Sequence, residues 1–197
     1  MTYQNIVNLV IDFIDVSDIE EIEYMLVDNS LLKNIGLYLN FPKNKFIKVI
    51  PIDTSNKLIL GKLRHFKNGV QVGVNDFALN TCWKRFVIVK ELSHLIMSKD
   101  NEGITQNIEI LVNGLFQMSF GLSDDIDHEQ LALFMASEYL MPYRISQDMI
   151  KNRDISTLSI AKKFGVPEVV VAGYRTPEHI KIRDKAYQDM FENHEKI

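Results

Sequence analysis

Lys90, Glu91 and His94 are the side chains whose types and spacing could do chemistry together. Residues four apart on a helix face the same way, so positions 90 and 94 share a side, with Glu91 beside it. The run K-E-x-x-H departs at one position from H-E-x-x-H. In that pattern two His bind one Zn²⁺, and the Glu polarises the metal-bound water as general base. Glu91 holds the base position and His94 the second-ligand position; Lys90 stands where the first His belongs. Taken alone, the run is equally an i,i+4 neighbour pair on a solvated helix face.

The elements that must position these residues can be read from periodicity. Phe86, Val89, Leu92 and Met97 give residues 85–97 an apolar helical face. A second helical stretch runs from Glu129 to Leu140, stopped by Pro142, with Asp124, Asp125 and Asp127 before it favourable to its dipole. Before the motif the period changes to β-rich runs at 46–50, 58–60 and 70–74, with a tight turn at Lys67-Asn68-Gly69. These predict a small antiparallel sheet packed on the motif helix. Gly73-Val74-Asn75 is either part of an ordinary hairpin or an edge that binds extended substrate by strand addition.

Together, Arg85-Phe86, Glu91-Leu92, His94-Leu95, Glu129, Ala132, Ala136 and Leu140-Met141-Pro142 resemble the ImmA/IrrE family of metallopeptidase-like proteins, over roughly residues 46 to 175. The resemblance implies an α+β, zincin-like fold with a helical C-terminal tail. It implies zinc held by two His and a Glu, which would make His94 and Glu129 ligands and Glu91 the general base. It also implies a partner of the repressor or antitoxin-like kind, associated with mobile elements and regulation.

Lys90 changes what that site can do. An ammonium has no lone pair to give a metal and repels it. Freeing such an amine of its proton at neutral pH costs roughly 4–5 kcal/mol. The expectation is therefore a pseudo-peptidase without zinc, in which Lys90 sits in the metal's place near Glu129 and His94. The alternative is an active zinc endopeptidase that cleaves a DNA-binding repressor, with His128 or His65 supplying the missing imidazole.

A net charge of −4 argues against nucleic acid as a whole-chain partner and leaves only a local basic patch open. A lone cysteine, Cys82, suits a reducing cytoplasm, and no signal peptide or membrane span is visible. The expected organisation is a helical segment over 1–45, the metallopeptidase-like domain over 46–142 and a helical tail over 143–197. Amphipathic spacing predicts helices near 2–15, 17–25 and 31–39, and another at 107–121 that is either a core helix or a lid or partner surface. Within the tail, 157–174 has a helix-turn-helix outline, and a DNA-binding regulator is the second alternative. Its second helix, Glu168-Val169-Val170-Val171-Ala172, lacks basic residues to read bases with. Residues 177–197 read as a mixed-charge helix or a frayed tail.

Overall fold

The computed structural model describes residues 5, 7–11, 45–52, 60–75, 79–97, 104–105 and 128–194, except the side chains of 104, 105, 128, 129, 193 and 194. The helices expected at 17–25, 31–39 and 107–121 lie outside the described residues. Among those described, no helix is long and apolar enough to cross a membrane.

Strands β1 (Phe46–Ile52), β2 (Gly61–Phe66), β3 (Gly69–Asn75) and β4 (Ile104–Thr105) form one sheet in the order β1-β3-β2-β4. The expected hairpin is present: β2 and β3 pair antiparallel, with Phe66 opposite Gly69. Gly69 is required by close approach, since a Cβ there would lie 2.2 Å from the Phe46 carbonyl oxygen. β1 pairs parallel to β3, so the sheet is mixed rather than wholly antiparallel. The hairpin inserts its second strand beside β1, and that puts β3 in the middle. Gly73-Val74-Asn75 is therefore paired on both sides and is not a docking edge. Pro51, which has no N–H to donate, fits the outer position of β1.

Strand alternation sends Leu63, Val70, Val72 and Val74 to one face, where they are buried in the core. Helix α1 (Thr81–Met97) packs on β2 and β3, and α2 (His128–Leu140) packs on α1. Asn80 caps α1, its Oδ1 accepting from the Trp83 amide at 3.0 Å. Val7 and Val10, from helical residues 7–11, join the same core. This accords with the amphipathic helix expected near the start.

The rest is helical: α3 (Tyr143–Lys151), α4 (Thr157–Phe164), α5 (Glu168–Tyr174) and α6 (Pro177–His194). Ser156 caps α4 by accepting from the Ser159 amide at 3.1 Å. Gly165 ends α4 in the left-handed region at φ 59°, where the Val166 amide reaches back to the Ala161 carbonyl at 3.1 Å. The segment from 177 is an ordered helix through 194, not a frayed tail.

Candidate functional site

The motif residues lie in the interior. Lys90 and Glu91 have no exposed surface and His94 keeps 4%, so the solvated-face reading does not hold. Lys90 Nζ donates to Glu91 Oε1 at 3.4 Å, an ion pair with both side chains fully buried. Neighbouring positions on a helix point about 100° apart, and the long lysine stem bridges that angle. Glu91 is directed at the start of β2. A Cβ on Gly61 would lie 3.1 Å from Glu91 Cγ and 2.5 Å from Val87 Cγ1, so only glycine lets the strand this close.

Helix α2 forms the opposite wall, with every residue from Leu131 to Leu140 buried. Glu129 lies in its first turn, on the same helix face as Ala132, Leu133 and Ala136 by 3- and 4-residue spacing. The side chains of Glu129 and His128 are outside the described residues. His65 sits at the far end of β2, about 13 Å along the strand from Gly61 at 3.3 Å per residue. It is not brought to Glu91.

Arg85, on the first half of α1, ties the motif helix to the tail. Its Nη1 donates to the carbonyls of Phe164 and Gly165, which end α4. Burial lowers its pKa from the ordinary value, with Cys82 and Tyr139 acting the other way. Between the start of α1 and α4–α5 lies an open groove of about 860 Å³, lined in part by Cys82, Trp83, Leu158, Lys162 and Val169. Its Cys82 end is about 18 Å along α1 from His94 at 1.5 Å per residue, so the groove and the motif are separate features. Helix α5 buries Val170, Val171, Gly173 and Tyr174, leaving Glu168, Val169 and Ala172 outward without a basic residue. This arrangement suits packing better than base readout.

A profile of the IrrE N-terminal-like domain, peptidase family M78, matches residues 47–174. The chain belongs to this family. No curated protein is significantly similar to it in sequence. The match begins one residue into β1 and ends with α5, so it takes in the sheet, both motif helices and the α4–α5 pair. Within this IrrE-like domain, the zinc site implied by the resemblance needs three lone-pair donors around one open position. Here the first of those positions holds a buried lysine, paired with the carboxylate that the resemblance puts at the general-base position. Among the described residues no group of three His, Cys, Asp or Glu could hold a metal. With a lysine at position 90, α1 supplies one imidazole, His94, where the zinc site implied by the resemblance needs two.

Sequence reasoning missed a second buried ionic cluster in this IrrE-like chain. Glu138 on α2 accepts from Arg183 Nε at 2.8 Å and Nη2 at 3.1 Å. Arg183 also donates to Ser146 Oγ at 3.1 Å and to the Met141 carbonyl at 2.5 Å. Tyr187 donates its hydroxyl to Glu138 Oε2 at 3.0 Å, and burial with Glu138 beside it pushes that phenol well above its usual pKa. The guanidinium lies 5.2 Å from the Tyr143 ring centre and 5.1 Å from that of Tyr174. His179 lies tilted against the Tyr174 ring, 4.1 Å between centres; burial lowers its pKa to about 4, Glu138 opposing and Arg183 reinforcing. A guanidinium forked onto one carboxylate is the strong form of an ion pair. No local signal marks it, because Glu138 and Arg183 belong to helices 45 residues apart in sequence.

Proposed function

We propose that this IrrE-like chain works by binding rather than by hydrolysis, as a pseudo-peptidase that engages a repressor- or antitoxin-like protein. The observation that supports this most is Lys90. It stands at the first zinc-ligand position, fully buried, with its ammonium 3.4 Å from the carboxylate that a peptidase would use as general base. A cation supplied by the chain offsets the cost of burying Glu91, and the same contact keeps that carboxylate from acting on water. The repressor- or antitoxin-like partner is what the resemblance of the paired motifs implies. The competing reading within the family is a working zinc endopeptidase with another ligand in place of Lys90.

Metal analysis separates the two. Wild type purified without chelator is expected to hold no stoichiometric zinc, and Lys90→His to take up about one zinc per chain with a rise in melting temperature. One zinc per chain in the wild type would overturn the proposal and point to cleavage of the partner.

A further inference from the structure

The sheet has a second face, turned away from α1, whose composition is unlike the rest of the chain. Register places Phe46, Gly69 and Phe66 in one row across β1, β3 and β2. The next row on that face is Lys48, Gln71 and Arg64, and the third is Ile50, Gly73 and Lys62. Phe46 and Phe66 are 45% and 50% exposed, and Lys48 and Arg64 are exposed. The described residues of these strands and their turn, 45–52 and 60–75, contain no Asp or Glu, in a chain whose net charge is −4.

From this we infer that the outer face of the sheet binds single-stranded nucleic acid, with Phe46 and Phe66 stacking bases and Lys48, Lys62 and Arg64 holding phosphates. The two aromatic residues stand on the strands either side of β3, about 10 Å apart along the backbone at 4.8 Å per strand, with the Phe46 side chain leaning over Gly69. Every base has a π-face, so stacking is tolerant of sequence, and a positive track beside the rings follows the backbone. Gln71, between Lys48 and Arg64, adds an amide that can donate and accept. A duplex hides its base faces and offers the rings nothing to stack on. This surface lies on the opposite side of the sheet from Lys90 and Glu91, so it stands apart from the question of hydrolysis.

The test is fluorescence anisotropy of the full chain with labelled twelve-nucleotide dT and U strands, the matching duplex, and polyglutamate. The expected result is binding to a single strand that weakens roughly fifteenfold between 50 and 200 mM salt, as for about three phosphate contacts. Phe66→Ala should weaken it on the order of tenfold. Arg64→Glu should weaken it further and flatten the salt dependence. Both side chains are exposed, so unchanged melting curves should accompany these losses. No binding at 50 mM salt overturns the inference. So does duplex binding of equal strength that ignores Phe66→Ala, which would be attraction to any polyanion. Equal binding of polyglutamate with the same response to both variants also overturns it, and assigns the face to an acidic protein.

Discussion

Two buried ion pairs lie in the same chain, and they are built differently. Arg183 forks onto both oxygens of Glu138 at 2.8 and 3.1 Å and spends its other donors on Ser146 and the Met141 carbonyl. Lys90 reaches Glu91 at 3.4 Å, a long contact for a charge-assisted bond. The first joins α2 to α6 across the core; the second joins neighbouring residues of one helix. One pair is architecture. The other occupies the position that the resemblance gives to the first zinc ligand.

That contrast can be broken by removing the cations. Arg183→Met is expected to destabilise by about 3–5 kcal/mol, because Glu138 is left buried without its counter-charge. The double variant with Glu138→Leu should regain most of that in urea unfolding. If the double variant is no better than the single, the pair contributes more than mutual neutralisation. His179 sharpens the comparison through pH. Its pKa, about 4 in the folded chain against an ordinary 6.5, means the folded state holds it neutral. Its stabilising contribution is complete above about pH 6.5 and is lost as pH falls through 4, by on the order of 3 kcal/mol. His179→Phe should flatten that part of the stability–pH curve; an unchanged curve would move the acid sensitivity elsewhere. Lys90→Met should cost least, about 3 kcal/mol, the low end for leaving a buried carboxylate without its cation, since the contact with Glu91 is longer than those of the forked arginine. A loss equal to that of Arg183→Met would make the motif lysine as architectural as the tail arginine.

Local chemistry was legible in the sequence and assembly was not. The helix-turn-helix outline over 157–174 was legible because its ends are set within one turn, by the Ser156 cap and by Gly165 in the left-handed region. The paired motifs on α1 and α2 marked the family, whose profile matches nearly the span that the resemblance covers. Periodicity gave α1 one apolar face, yet Lys90, Glu91, Ser93 and His94 are buried as well. Burial on every side is conferred by β2, β3 and α2, which no window of one helix contains. The same holds for β3: alternation shows a strand, but only the insertion of the hairpin beside β1 shows that the strand is central. The partner of Arg183 was hidden for that reason too.

The approach of β2 to α1 at Gly61 sets which changes the domain can accumulate. A single methyl group there would collide with Val87 and press on Glu91, so a larger residue at position 61 requires those side chains or the strand to shift. Position 90 is one side chain inside an existing interior, open to exchange between an imidazole and an ammonium while the backbone stays where it is. The side chain at position 90 can thus change within the same scaffold, so long as the close packing of Gly61 on Val87 and Glu91 is kept.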